Sequence, residues 1–213
     1  MLIQPNSKLL MIGDSITDCE RARPVGEGLF GAIGKGYVSL VQAQLLAKYP
    51  QSRIRVVNMG CSGNTVRDLK ARWRSDVVDL EPDWLSIMIG INDVWRQYDL
   101  PLQSETHVYI EEYRATLEEL VKTTRPLVKG LVLCTPYYLE SNNQDAMRST
   151  MDAYGAVVAD IAAQYKAYCV DTQAAFAPLL QEYHSAMLAW DRVHPNLIGH
   201  QVLAQAFLDA VEY

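Results

Sequence analysis

Four consecutive apolar residues lead directly into a turn in Leu9-Leu10-Met11-Ile12-Gly13-Asp14-Ser15-Ile16-Thr17. A short aliphatic run bounded by turn residues predicts a buried strand. Gly13 permits a tight turn after that strand. Ser15 then stands at the start of a helix, where its hydroxyl can be exposed at the sheet edge and its N–H is free of helix bonds. This junction of strand, turn and helix is the repeating unit of an α/β fold.

The same alternation recurs along the chain. Short apolar runs predict strands at Leu9–Ile12, Ile54–Asn58, Trp84–Ile89, Leu131–Cys134 and Ala167–Val170. Longer runs with three-and-four apolar spacing predict helices at Tyr37–Tyr49, Val66–Val78, Val108–Thr124, Met147–Tyr165 and Leu197–Val211. We expect a three-layer α/β/α sandwich around a five-stranded parallel sheet, most simply in the flavodoxin-like strand order 2-1-3-4-5.

The composition is typical of one globular unit. The chain has 213 residues, of which 49% are hydrophobic, so we expect residues 1–213 to form a single domain. The net charge of -6 opposes binding to nucleic acid phosphates. The one basic cluster, Arg67–Arg74, is interleaved with acidic residues, as on a solvated helix face.

The sequence shows no sign of a membrane protein or an exported one. No segment approaches the ~20 uninterrupted apolar residues of a membrane helix, and the start lacks the long apolar run of a secretory signal. The four cysteines have no C-x-x-C spacing, and the chain is too large to depend on a disulfide framework. We therefore expect reduced, mostly buried thiols, no membrane contact and a cytoplasmic location.

Polar residues gather directly after the predicted strands. In chain order they are Gly13-Asp14-Ser15, residues 58–65, Gly90-Ile91-Asn92-Asp93 and, after a further helical stretch, Asp191-Arg192-Val193-His194-Pro195. Ligands of such sheets bind beyond the carboxyl ends of the strands. These four segments are therefore expected to surround one site.

The segments contain the groups that acyl transfer requires. Ser15 is the candidate nucleophile, and His194 is the base that takes its proton. Asp191 and His194 are three residues apart, so they can share one short loop in which the carboxylate holds one ring nitrogen. The other ring nitrogen is then left for Ser15.

Three donors are available for a developing oxyanion. Gly63 has no side chain to block an approaching substrate, so its backbone N–H can donate. Asn92 offers its side-chain amide, and Ser15 offers its own N–H. We expect these groups to hold the negative oxygen of a tetrahedral intermediate.

The four segments resemble, in order and approximate spacing, the four signature blocks of the SGNH (GDSL-type) hydrolases. The family's catalytic serine, glycine, asparagine and histidine then fall on Ser15, Gly63, Asn92 and His194, and its orienting aspartate on Asp191. The surrounding residues, including Gly63-Asn64-Thr65-Val66-Arg67-Asp68-Leu69, Gly90-Ile91-Asn92-Asp93-Val94-Trp95-Arg96 and Ala189-Trp190-Asp191, look like those of bacterial serine acetylxylan esterases over nearly the whole chain.

The resemblance implies a serine esterase that removes acetyl groups from xylan fragments or xylo-oligosaccharides through an acetyl-enzyme. It also implies a homo-oligomer, often inside the cell. The alternatives are a general short-chain carboxylesterase or thioesterase and, from another class, a non-catalytic carbohydrate-binding subunit. The full set of site residues argues against the last.

Other site candidates have competing interpretations. Trp95 and Trp190 are candidate substrate-binding residues, with core or subunit packing as the alternative. Asp14 is a further candidate, although an orienting bond to nearby backbone is the favoured role for it. His194 and His200 are six apart, which is poor spacing for zinc ligands, and His200 is expected to be structural. Residues 26–31 satisfy G-x-G-x-x-G but follow no strand, so we expect no nucleotide. The histidine spacing predicts no metal, and ester hydrolysis by a serine needs no cofactor.

Overall fold

The computed structural model describes all 213 residues. Its sheet contains five strands, all parallel: β1 (Lys8–Gly13), β2 (Arg55–Asn58), β3 (Trp84–Met88), β4 (Gly130–Cys134) and β5 (Tyr168–Val170). Their spatial order is β2-β1-β3-β4-β5. The predicted α/β fold class and strand order are thus confirmed, and each predicted strand agrees with the observed one to within one residue at either end.

Eight α-helices cover the sheet: α1 (Ser15–Asp18), α2 (Tyr37–Lys48), α3 (Val66–Asp76), α4 (Ile91–Asp99), α5 (Ile110–Thr124), α6 (Ala146–Tyr165), α7 (Thr172–Glu182) and α8 (Leu197–Ala210). Helix α8 packs between α2 and α7, while α5 packs between α3 and α6, so the helices form two layers. Five of these helices agree with the predicted ones to within two residues at either end, whereas α1, α4 and α7 were not delimited by the sequence patterns.

The aliphatic composition of the strands reflects their burial. All residues of β3 and β4 are buried, as is β1 beyond its first residue, because helices lie on both faces of a parallel sheet. The resulting core contains 55 buried hydrophobic residues. Parallel strands end at one edge, where Gly13 pairs with Met88 and Met88 pairs with Cys134. The segments that follow β1, β2 and β3 therefore emerge side by side.

The glycine-rich stretch 26–36 is a loop between α1 and α2. Gly26 and Asn58 exchange backbone hydrogen bonds of 3.1 and 2.9 Å, and the Asn58 side-chain amide donates to the carbonyls of Thr17 and Ile33. The G-x-G-x-x-G match thus follows a helix and not a strand, so it lacks the context of a dinucleotide site. The loop is fastened to the end of β2 instead.

The four cysteines form no disulfide. Cys134 is buried, Cys19 and Cys61 are half-buried and Cys169 is exposed, so the expectation of mostly buried thiols is wrong. The exposed thiol of Cys169 lies on β5, which has only one buried residue. This strand is at the edge of the sheet, so it has a neighbouring strand on one side only. No helix of the protein combines the length and the apolar character that a membrane crossing requires.

Candidate active site

The end of β1 positions Ser15. A Cβ atom on Gly13 would lie 2.3 Å from the carbonyl oxygen of Met88 and 2.4 Å from the Thr17 hydroxyl, so only glycine fits this turn. Asp14 caps the helix that follows, because its carboxylate accepts from the backbone N–H of Ile16 at 3.0 Å. Ser15 is consequently the first residue of α1, at the carboxyl edge of the sheet.

A continuous hydrogen-bonded chain links Ser15 to the carboxyl-terminal loop. The Ser15 hydroxyl lies 2.8 Å from His194 Nε2, although the two residues are 179 positions apart. His194 Nδ1 lies 2.6 Å from one oxygen of Asp191. The other Asp191 oxygen accepts from the backbone N–H groups of Val193 and His194 at 2.9 and 2.8 Å. The three residues that the sequence analysis selected therefore meet in the order that proton transfer requires.

The environment of Asp191 favours its charged form. Burial raises the pKa of this carboxyl, but the bond from the His194 ring and those from the backbone N–H groups of His194 and Val193 outweigh burial, so the pKa lies below its ordinary value. A carboxylate that stays ionised can hold the imidazole in one tautomer and stabilise the imidazolium that forms.

Two bonds fasten the catalytic loop to the segment after β4. The Tyr137 hydroxyl donates to the carbonyl of Val193 at 3.1 Å, and the backbone N–H of Leu139 donates to the carbonyl of Arg192 at 3.0 Å. Arg192 also forms an ion pair of 2.6 Å with Glu140. The His194 ring is thus carried by a loop that is tied to the sheet.

The loop after β2 carries Gly63 between two anchors. On one side, the backbone N–H of Cys61 donates to the carbonyl of Gly13 at 3.0 Å. On the other side, the side-chain amide of Asn92 donates to the carbonyl of Asn64 at 3.0 Å. Gly63 has φ +81°, a region that favours glycine, and open space where a side chain would stand. The three oxyanion candidates of the sequence analysis therefore belong to segments that are bonded to one another.

Two carboxyl groups lie buried beneath the site. Burial raises the pKa of Asp14 to about 7, against the lowering effects of the Ile16 N–H and of His194. Burial likewise raises the pKa of Asp93 to about 7, against the bond that its carboxylate accepts from the backbone N–H of Val66. The second oxygen of Asp93 has no partner. Asp14 is 1% exposed, so it cannot reach a substrate here, and the favoured role as a backbone-orienting residue describes it better.

The two tryptophans occupy different environments. Trp95 is partly buried, and its ring lies edge-on to the His194 ring with 5.8 Å between centroids. Trp190 is 91% exposed and directly precedes Asp191. Trp95 therefore packs beside the His194 ring, while Trp190 presents an exposed aromatic face beside the loop.

The ring of His200 makes no hydrogen bond with Ser15, His194 or Asp191. Its Nδ1 accepts from the backbone N–H of Tyr37 at 3.2 Å, and its Nε2 lies 3.2 Å from the Cys19 sulfur. Burial lowers its pKa to about 4, so the ring is neutral near pH 7. No group of three or more His, Cys, Asp or Glu side chains is arranged to hold a metal ion.

Two arginines of the site were not predicted from the sequence. The first is Arg72. It was included in the charged helix face Arg67–Arg74, yet its guanidinium points inward and donates to the carbonyls of Gly13 and Met59 and to the side chain of Asn64, at 2.9, 2.8 and 2.6 Å. Its side chain is only 16% exposed. The solvated-face interpretation is therefore wrong for this residue, because the carbonyl of Met59 after β2 receives no backbone N–H and requires another donor.

Arg96 is the second. It donates to the Asn92 side-chain oxygen at 3.2 Å, and its guanidinium lies 4.7 Å from the Trp95 ring centroid. No sequence signal marked Arg72. For Arg96, the spacing of four residues from Asn92 on a helix was a usable signal, but α4 itself was not predicted.

The fold and this geometry define the class. A serine at the carboxyl edge of a parallel sheet, bonded to an imidazole that a carboxylate supports, is the arrangement of serine hydrolases. The chain belongs to the GDSL-like lipase/acylhydrolase family, whose sequence model matches residues 11–202. It is a carboxylic ester hydrolase, and the resemblance to SGNH hydrolases and to acetylxylan esterases is confirmed.

Relatives of known structure match the whole chain. The sequence is 62% identical to an acetylxylan esterase of Geobacillus stearothermophilus over 213 residues, which are 100% of this chain and 97% of that protein. The crystal structure of Axe2, an acetylxylan esterase of the same organism, matches with a TM-score of 0.99 over 100% of this chain and 97% of that chain at 62% identity. LAE5, an α/β hydrolase from the metagenome of Lake Arreo in Spain, matches with a TM-score of 0.98 at 56% identity, over 100% and 98% of the two chains.

Catalytic mutants of Axe2 have also been solved. They carry the substitutions S15A, D191A and H194A, and each matches this chain with a TM-score of 0.99. Axe2 is also called an acetyl-xylooligosaccharide esterase. This chain has a serine, an aspartate and a histidine at the same three numbers.

Proposed function

We propose that this esterase removes acetyl groups from acetylated xylan fragments or xylo-oligosaccharides, with Ser15 as nucleophile, His194 as general base and Asp191 as the orienting acid. The observation that carries the proposal is the chain of contacts from the Ser15 hydroxyl through the His194 ring to Asp191, at 2.8 and 2.6 Å. These are hydrogen-bond distances for a nucleophile, its base and the group that orients the base.

The reaction proceeds in two stages. Ser15 Oγ attacks the acetyl carbonyl carbon while His194 Nε2 takes the hydroxyl proton. The tetrahedral intermediate then expels the sugar oxygen, which receives that proton from His194, and the acetyl group stays on Ser15. In the second stage His194 takes a proton from water, the water oxygen attacks the acetyl-enzyme, and acetate leaves as Ser15 regains its proton.

Three donors stabilise the negative oxygen in both stages: the backbone N–H groups of Ser15 and Gly63 and the side-chain amide of Asn92. Ser15 is the first residue of α1, so its N–H has no acceptor within the helix. The Gly63 N–H donates to no protein acceptor. The Asn92 amide uses one of its two N–H bonds on Asn64, which leaves the second for an oxyanion.

The substrate class is supported by the relatives and by the openness of the site. The two proposed partners of Ser15 are partly exposed: the side chain of His194 is 45% exposed and that of Asp191 is 36% exposed. The exposed face of Trp190 stands next to them. An open site with a free aromatic face suits a short acyl group carried on a sugar chain, since sugar rings pack against aromatic faces.

Three finer expectations stay predictions. They are the assembly into a homo-oligomer, the cytoplasmic location, and the organisation of residues 1–213 as one domain. The first rests on the resemblance to acetylxylan esterases, and the second rests on that resemblance together with the cysteine pattern.

The test is acetate release from acetylated xylo-oligosaccharides by the wild type and by Ser15→Ala, set against aryl esters of increasing acyl length. We expect release by the wild type only, with acetyl preferred over longer acyl groups. Equal rates on longer acyl esters or on thioesters would instead support the general carboxylesterase or thioesterase alternative. Sugar binding without any Ser15-dependent hydrolysis would support a binding subunit.

A further inference from the structure

We infer that Arg96 is a positioning residue that fixes the orientation of the Asn92 amide so that an N–H, and not the carbonyl oxygen, faces the oxyanion. The inference rests on the proposed function, because it assigns Arg96 a role through one of the three proposed donors. Arg96 lies four residues after Asn92 on α4, on the same helix face.

The partners of Asn92 leave its amide a single orientation. Its Nδ2 donates to the carbonyl of Asn64 at 3.0 Å, and its Oδ1 accepts from Arg96 Nη2 at 3.2 Å. A backbone carbonyl can only accept, and a guanidinium can only donate. Rotating the amide by 180° would therefore place oxygen against oxygen and N–H against N–H, and both bonds would be lost.

The orientation matters because the two faces of an amide have opposite effects on a developing charge. Asn92 is 2% exposed, so water cannot restore a lost bond or screen a misplaced oxygen. An amide held only by Asn64 could move away from the oxyanion without losing a second partner. Arg96 removes that freedom before the substrate arrives, which is the preorganisation that electrostatic catalysis requires.

Arg96 is itself held in place from two sides. It forms an ion pair with Asp99, and its guanidinium stacks over the Trp95 ring at 4.7 Å. Its side chain is about one quarter exposed. The ring of Trp95 also lies edge-on to the His194 ring, so Arg96, Trp95 and His194 form one packed side of the site.

A double-mutant cycle tests the inference on an aryl acetate. Arg96→Met keeps an unbranched apolar stem beside Trp95 but removes the donor. We expect kcat to fall roughly tenfold, the size of one lost hydrogen bond, with KM changed less than twofold. In the Asn92→Ala background, the same Arg96→Met substitution should change kcat less than twofold. Arg96→Lys, which retains a donor, should recover part of the loss.

The control is Arg114→Met, which removes an exposed arginine with an acidic partner, Asp160, on α5 and α6 away from the site. It should leave kcat and KM unchanged. If Arg96→Met fails to fold, as judged by thermal unfolding, Asp99→Asn replaces it. That variant loosens the arginine and should give a smaller loss with the same dependence on Asn92.

Two outcomes would overturn the inference while leaving the proposed function intact. One is an equal fall in kcat in both backgrounds, which would mean that Arg96 acts through Trp95 and His194 or on the substrate. The other is a rise in KM alone. Retained activity in Ser15→Ala would instead remove the proposed function, so the two failures are distinguishable.

Discussion

The two halves of the active site are built in opposite ways. The proposed proton-relay half, His194 with Asp191, lies on a loop of a few residues and is about 40% exposed on average. The proposed oxyanion half is centred on Asn92, which is buried and is held by Asn64 of the loop after β2 and by Arg96 of α4. A relay must meet substrate and water, whereas a donor works best when it cannot move.

The difference shows which interactions maintain each half. Asp191 accepts three bonds from residues within three positions of itself, so the geometry of the relay is mostly local. The donors depend on contacts between distant segments, such as the bonds from Arg72 to Gly13 and Met59. Substitutions in the relay should therefore remove chemistry alone, while those around the donors should affect chemistry and stability together.

The largest effect is expected for His194→Ala. Without a base, kcat should fall by roughly four to six orders of magnitude, as in other enzymes with this triad. The unfolding midpoint should change little, because the ring is nearly half exposed. The loss is measured as the steady-state rate of aryl acetate hydrolysis, in an assay whose lower limit of detection is known. A fall smaller than tenfold would show that another group acts as the base.

Asn92→Ala tests the buried half. We expect kcat to fall by roughly two to three orders of magnitude, since one oxyanion donor is worth ~2.7 to 4 kcal/mol of barrier. The fold should be retained, with a lower unfolding midpoint because the carbonyl of Asn64 and the Arg96 guanidinium each lose a partner. Steady-state kinetics and thermal unfolding of the same sample measure both. Full activity in this variant would contradict the assigned role.

Asp93→Asn tests whether the buried carboxyl of Asp93 makes the stability of the fold depend on pH. In the fold the pKa of Asp93 is about 7, above the value of 3.8 for an unfolded chain. Between these pH values the unfolded chain releases a proton that the folded chain keeps, so this group makes the free energy of unfolding fall as pH rises from about 4 to about 7. The variant should lose that dependence, on the order of 2 kcal/mol between pH 5 and pH 8.

Urea unfolding of both proteins at pH 5 and pH 8 measures the difference. The comparison must be made between proteins, because His200 acts in the opposite sense: burial lowers its pKa to about 4, so its contribution rises with pH between about 4 and 6.5. Asp160→Asn, at an exposed carboxylate, is the control. Parallel pH profiles for wild type and Asp93→Asn would refute the buried-charge interpretation.

The smallest effect is expected for Trp190→Ala. This side chain is 91% exposed, so its removal should change the free energy of unfolding by less than about 0.5 kcal/mol. If the aromatic face packs against a sugar ring, KM for acetylated xylo-oligosaccharides should rise severalfold while KM for a small aryl acetate stays the same. Equal changes for both substrates would argue against a sugar contact.

Much of the fold could be predicted from the sequence because the patterns that mark strands and helices are local. Each strand is a short aliphatic run between turn residues, and burial on both faces requires that composition. Helix α4 was missed because its start is occupied by the polar residues of the site, Asn92 and Asp93, which are buried against the usual pattern. Arg72 was wrongly assigned to a solvated helix face for a similar reason. The sequence does not distinguish an arginine that donates to buried carbonyls from one that faces water.

The sequence alone was enough to predict the order of strands and helices and the candidate reacting side chains, because the aliphatic runs, the turn residues and the Asp191-to-His194 spacing are short-range properties. Which groups position the proposed oxyanion donors was decided only by the tertiary structure. The bonds from Arg72 to the backbone carbonyls of Gly13 and Met59 join segments that are far apart in the chain, and which carbonyls the guanidinium reaches is settled only when the layers pack.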